Sequence, residues 1–188
     1  METTLDVSLM HLTEEQFYQL CQANRDLRLE LSAKGELSIM PPTAWESGKR
    51  NFDLLVQLGI WNRQYQLGIA FDSSTGFKLP SGASRSPDAA WVERSRIESI
   101  NPDPNKFLPL APDFLIELRS STDNLATLQK KMQEYQDNGV RLGWLINPHD
   151  REIEVYRIGR SSEVLQSLVS LSGEDVLPGF ILDLTTIW

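Results

Sequence analysis

An acid and a base stand inside one apolar run, Pro112-Asp113-Phe114-Leu115-Ile116-Glu117-Leu118-Arg119-Ser120-Ser121. The run reads as a strand, and a carboxylate buried there needs a cation, a metal or several hydrogen bonds, because its desolvation is otherwise costly. Alternation puts Leu115, Glu117 and Arg119 on one face and Phe114, Ile116 and Leu118 on the other, with Glu117 and Arg119 about 6.6 Å apart. Upstream, Pro87-Asp88-Ala89-Ala90-Trp91-Val92 reads as a second strand that opens on an acid, and downstream a helix carries Lys131. Hard cations take oxygen ligands, hold a scissile phosphate and acidify water. Acid, Glu-x-basic and lysine, in that order, is the arrangement of a metal-dependent nuclease site.

Asp113 shares the face of Glu117, but four residues of strand separate the two by about 13 Å, too far to share one ion. Asp88, on a neighbouring strand about 4.8 Å away, can converge with Glu117, and Asp72 is the reserve candidate. Of the tandem lysines, Lys130 falls opposite Leu128 and Met132, whereas Lys131 borders that apolar stripe beside Tyr135 and can lean onto the sheet. Each feature also has a structural reading: Glu117 paired with Arg119, and Lys131 as a snorkelling stem. The conjunction favours chemistry.

The 188 residues, 40% of them apolar and 23% charged, describe one ordinary soluble domain, with no apolar run that would span a bilayer. The start, Met1-Glu2-Thr3-Thr4-Leu5-Asp6, has neither a basic segment nor an apolar core for secretion, and Cys21 is alone, so a cytoplasmic location is expected. A net charge of -8 opposes broad attraction to nucleic acid. Bound cations and a local basic groove can offset that charge.

The elements that must position these residues follow from periodicity and punctuation. Thr13 to Asn24 reads as a helix with a Thr13–Gln16 capping box, and residues 27–31 and 36–40 as a hairpin turning at Gly35. A longer helix runs from Trp45 to about Gln66, with Glu46 in its first turn, where an acid complements the helix dipole. Ile69–Asp72 and Phe77–Leu79 read as a second hairpin. After the Glu117 strand, Ser120, Thr122 and Asp123 are candidate caps for a helix that carries Leu125, Leu128, Met132 and Tyr135 and stops at Asn138-Gly139. Val140–Ile146 and Glu152–Tyr156 read as paired strands, and Glu163–Leu171 as one more. The expected architecture is α/β (α+β, mixed sheet), with the Trp45 and Leu125 helices packed on a central sheet and hairpin extensions.

Taken together, Ser86-Pro87-Asp88, Ala111 to Ser120, Lys131-Met132-Gln133-Glu134-Tyr135, Asn138-Gly139-Val140 and Gly143-Trp144-Leu145-Ile146-Asn147-Pro148 resemble the Uma-two restriction endonuclease family, over roughly Leu27 to the C-terminus. The resemblance implies the restriction-endonuclease-like core of the PD-(D/E)XK nuclease superfamily over residues 27–188, with residues 1–26 as an N-terminal helical extension. It matches Asp88 to the Pro-Asp acid and Glu117 to the second acid. The superfamily's lysine ordinarily lies two residues after that acid, where Arg119 stands here. In this family it has moved to the next helix, four residues before the tyrosine, which is Lys131. Glu46 resembles the helical acid that some members use as a further metal ligand.

The expectation is therefore an endonuclease that uses Mg²⁺, with Mn²⁺ as substitute. Asp88, Glu117 and Glu46 are the expected metal ligands, Lys131 acts on the water, and Arg119 or Gln129 contacts phosphate. Double-stranded DNA is the expected partner and a homodimer the expected assembly, since cutting both strands needs two sites. The alternative is a catalytically silent module of the same fold. No helix-turn-helix, zinc site or basic arm indicates a target sequence.

Overall fold

In the computed structural model, which describes residues 3–188, the chain forms β1 (Thr3–Asp6), a 3-10 turn (Ser8–Met10), α1 (Glu14–Ala23), β2 (Arg28–Leu31), β3 (Glu36–Met40) and α2 (Trp45–Tyr65). It continues through β4 (Gly68–Asp72), β5 (Phe77–Lys78), β6 (Ser84–Arg85), β7 (Ala89–Glu93), α3 (Arg94–Ile100), β8 (Phe114–Leu118), α4 (Leu125–Asp137), β9 (Leu142–Asn147) and β10 (Glu152–Arg157). The short strands β11 (Glu163–Gln166), β12 (Ser170–Ser172) and β13 (Ile181–Asp183) complete it. Met1 and Glu2, part of the N-terminal reading above, lie outside the described residues.

The central sheet has the order β11-β10-β9-β8-β7-β4; β8 and β9 are parallel and the other neighbours antiparallel. Strand β8 is apolar enough to sit in its middle, and its alternation sorts the core. Phe114, Ile116 and Leu118 face a cluster with Leu54, Leu58 and Trp61 of α2, Trp144, Ile146 and the C-terminal Leu182, Leu184 and Ile187. Leu115 faces the opposite cluster with Met132 and Tyr135 of α4. The sheet is thus covered on both sides, and Glu117 stands on the α4 side.

A second sheet, β1-β3-β2-β6-β5, is the hairpin extension. Gly35 turns its central hairpin at φ +83°, in the left-handed region that favours glycine. Leu29, Leu31 and Leu37 cover one face with Phe17 of α1, whose Thr13 capping box is formed. Residues 3–6 add a strand to this sheet that periodicity did not reveal, because all four are exposed. No helix among the described residues is long and apolar enough to cross a membrane.

Three expectations are corrected. Strands β4 and β5 do not pair: β4 joins β7 in the central sheet and β5 joins β6 in the other, because the Asp72 carboxylate accepts the Ser74 amide in a turn that redirects the chain. Helix α4 is capped by Asn124, whose side chain accepts the Thr127 amide, while Asp123 accepts the Ser120 amide in the preceding loop. Residues 163–171 form not one strand but parts of two, broken at Ser167, which has φ +53°.

Candidate active site

The register of the central sheet explains why two distant acids meet. Ala89 pairs with Ile116 in the antiparallel β7–β8 ladder, so Asp88, just before β7, lies beside Glu117. Asp88 Oδ2 accepts the backbone N–H of Leu118 at 2.8 Å, which fixes the carboxylate across the strand from Glu117. From α4, Lys131 Nζ lies 2.8 Å from Glu117 Oε1, and the Tyr135 hydroxyl, one turn on, donates to the same oxygen at 3.0 Å. Asn124 starts α4 and Asn138-Gly139 ends it, Gly139 having φ +92°, and this span sets Lys131 and Tyr135 over β8.

A third acid joins from the hairpin sheet. Leu29 and Leu31 turn to α1, so Glu30 points the other way and is 2% exposed. Its Oε1 accepts from Lys131 Nζ at 3.0 Å and from the Ser86 amide at 2.9 Å, and its Oε2 lies 3.2 Å from Arg85. Arg85 also reaches Glu134 of α4 at 2.6 Å. Arg28 is 3.8 Å from Asp88 Oδ1 and donates to the Ser86 carbonyl at 2.6 Å. Sequence reasoning missed Glu30, which alternates with leucines as a solvent-facing residue of a hairpin would. Only the packing of that sheet's other face against α4 buries it.

These groups do not balance. Burial pushes the Glu117 carboxyl up to about 7, Lys131 opposes the rise, and the nearby Asp88 and Glu30 charges add to it. Burial likewise raises Asp88, against the pull of Arg28 and the Leu118 amide. Glu30 is buried too, yet Lys131, Arg85 and the Ser86 amide hold it below its ordinary range. Burial disfavours the charged form of Lys131, but Glu117 and Glu30 outweigh it and keep the ammonium protonated. Burial and the Glu117 charge raise the Tyr135 hydroxyl well above its ordinary range, so it stays a donor.

The remaining expected residues do not join. Glu46 is an exposed partner of Arg50 at 3.0 Å, one turn along α2, and does not line the cleft. Strand β8 ends at Leu118, so Arg119 escapes the face of Glu117 and reaches the Asp123 carbonyl at 3.4 Å and Asp150 at 3.5 Å. Gln129 turns to β10 and donates to Glu154 at 2.6 Å. Neither contacts the cleft. A buried Glu117–Arg119 pair is therefore not formed, and the cation of Glu117 is Lys131. Asp113 is a separate structural charge, paired with Arg96 at 2.8 Å and accepting the Glu93 amide. Asp72 is confined to its turn.

Asp88, Glu117, Glu30 and Lys131 open into a cleft of 1250 Å³ between the β2–β3 hairpin, the start of α2, the Ser120–Asp123 loop and α4. Lys34 and Lys130 also line it, and neither has an ion pair among the described residues. No group of three or more histidine, cysteine or acidic side chains among the described residues is arranged to hold a metal ion. Glu30, engaged by Lys131 and Arg85, is thus not a third ligand of a ready cage. Asp88 and Glu117 alone suit a Mg²⁺ ion, which takes one or two carboxylates and keeps several waters. Burial, more than neighbouring charge, raises the affinity of both carboxyls for protons, and a bound divalent cation would stabilise their charged forms instead.

The family model described as "Uma2: Putative restriction endonuclease" matches residues 14–185. No curated protein matches the chain. A crystal structure described as "a putative nuclease belonging to DUF820 from Anabaena variabilis ATCC 29413" is similar, with a TM-score of 0.79 at 19% identity over 94% of this chain and 97% of that one. At that identity the likeness is one of fold.

Proposed function

From the premise that this chain belongs to the Uma2 family, we propose that it is a divalent-metal-dependent endonuclease acting on double-stranded DNA in the cytoplasm, with Asp88, Glu117 and Lys131 at its centre. The observation that carries this reading is the meeting of Asp88 and Glu117 with Lys131 in one open cleft.

Asp88 and Glu117 would hold Mg²⁺ or Mn²⁺, which supplies Lewis acidity to the scissile phosphate and an acidified water. Lys131, kept charged by Glu117 and Glu30, is no base; it orients the attacking water and stabilises charge on the phosphoryl oxygens. Glu30 and Tyr135 are positioning residues, one holding Lys131 and the other Glu117. Lys34 and Lys130, rather than Arg119 and Gln129, meet the flanking phosphates. Purified protein should nick supercoiled plasmid with Mg²⁺ or Mn²⁺ and not with EDTA, and Lys131→Met should abolish nicking. Nicking that survives Lys131→Met, or that EDTA does not stop, would refute the assignment.

One observation favours a silent binding module instead: Lys131 already bridges Glu117 and Glu30, engaging a Glu117 oxygen that a metal would need. A folded wild type whose melting temperature ignores Mn²⁺ would support that second reading.

A further inference from the structure

Helix α2 has three faces. Leu54, Leu58 and Trp61 bury against the central sheet, and Ala44, Ser47, Gly48 and Asn51 border the cleft. The third face is apolar and open to solvent: Trp45 is 80% exposed, Phe52 66%, Val56 38% and Ile60 63%. At 100° per residue these four fall within about 80° of arc, an apolar stripe interrupted between Trp45 and Phe52 by Lys49, which is held by Asp53 and the Thr186 carbonyl. They present about 500 Å² of apolar surface on one copy and about 1,000 Å² on a pair, the lower bound for a specific interface and a large patch for a monomer.

Part of the stripe is arranged symmetrically along the helix, Ile60 falling instead at the level of Gly48 in a reversed copy. Phe52 and Val56 lie equally far from the level of Leu54, as do Trp45 and Arg63, and Gly48 and Gly59 flank the stripe on one side about almost the same centre. Glycine inside a helix is destabilising, and the packing of this monomer does not require it at either position. A Cβ at Gly59 would meet nothing within 4 Å, and one at Gly48 only the Thr43 methyl at 3.9 Å. Arg63 is exposed, with no ion pair among the described residues.

We infer that this face of α2 binds the same face of a second copy of the chain, with the two helices antiparallel about a two-fold axis at the level of Leu54. Phe52 then packs on Val56 of the other copy, Trp45 lies under Arg63 of the other copy, and the glycines let the backbones approach on one flank. An isologous contact needs such self-complementarity, which a heterologous partner would not require. Because the cleft borders the same helix, the pair carries two clefts joined through α2. The oligomeric inference stands whether or not the cleft hydrolyses DNA.

Sedimentation velocity on the purified chain at micromolar concentration should give a species of twice the monomer mass. The Phe52→Glu/Ile60→Glu variant should sediment as a monomer with an unchanged circular-dichroism spectrum. Gly59→Leu provides a check that spares the fold, because the monomer has room for it while the dimer does not; its dissociation constant should rise about tenfold or more. A monomeric wild type would overturn the inference. So would a dimer that tolerates both variants.

Discussion

Replacing Glu117 with glutamine should change how the stability of the protein depends on pH, and its magnitude follows from the site. A carboxyl raised from 4.5 to about 7 by burial and by its acidic neighbours binds a proton more tightly in the folded than in the unfolded chain. Its contribution is therefore fully present below about pH 4.5 and is lost as pH rises through about 7. At about 1.4 kcal/mol for each tenfold change in proton affinity, the full loss is slightly more than about 3 kcal/mol. For a chain of this length that corresponds to a melting temperature difference on the order of 10 °C. At pH 5 the protonated acid and the amide are nearly isosteric, so wild type and Glu117→Gln should melt within a few degrees of each other. By pH 8, in EDTA, the wild type should melt below the variant. Adding Mn²⁺ at pH 8 should raise the wild type and leave the variant in place. Melting temperatures measured across pH 5 to 8 for both proteins check this, and parallel curves would refute the claim that the folded site raises the proton affinity of Glu117.

Lys131→Met leaves Glu117 and Glu30 without their shared cation and should destabilise the protein by about 3–5 kcal/mol at pH 8, less at pH 5, as urea titration at both values would show. Glu30→Gln should reduce nicking through misplacement of Lys131 while leaving Mn²⁺ affinity within a few fold, a separation readable by isothermal calorimetry. Glu46→Gln should change neither nicking nor Mn²⁺ affinity and should cost less than about 1 kcal/mol, because its exposed pair with Arg50 is screened. Asp113→Asn removes the buried charge that Arg96 and Arg141 share and should lower stability while leaving Mn²⁺ affinity intact.

Local rules carried the sequence reading where the determinant was local. Alternation along β8 put Glu117 opposite Phe114, Ile116 and Leu118, and helical spacing turned Lys131 rather than Lys130 onto the sheet. The Asp88 strand was legible from its Pro-Asp opening, and its neighbour was found because β7 and β8 are adjacent. Glu30 was not legible, since its burial depends on a second sheet closing against α4, a contact no period encodes. Arg119 was misplaced because alternation was carried one residue past the end of β8. Gln129 lies about 200° around the helix from Lys131, and Glu46 stands one turn before Arg50, the spacing of an exposed helical pair.

Diffraction from crystals soaked in Mn²⁺, recorded for anomalous scattering, tests most directly whether this cleft is a metal-dependent hydrolytic centre. The expected result is one strong peak about 2.1 Å from carboxylate oxygens of both Asp88 and Glu117, with Lys131 beside it and Glu46 uninvolved. A cleft without a peak, or manganese held elsewhere while Lys131 still bridges Glu117 and Glu30, would contradict it.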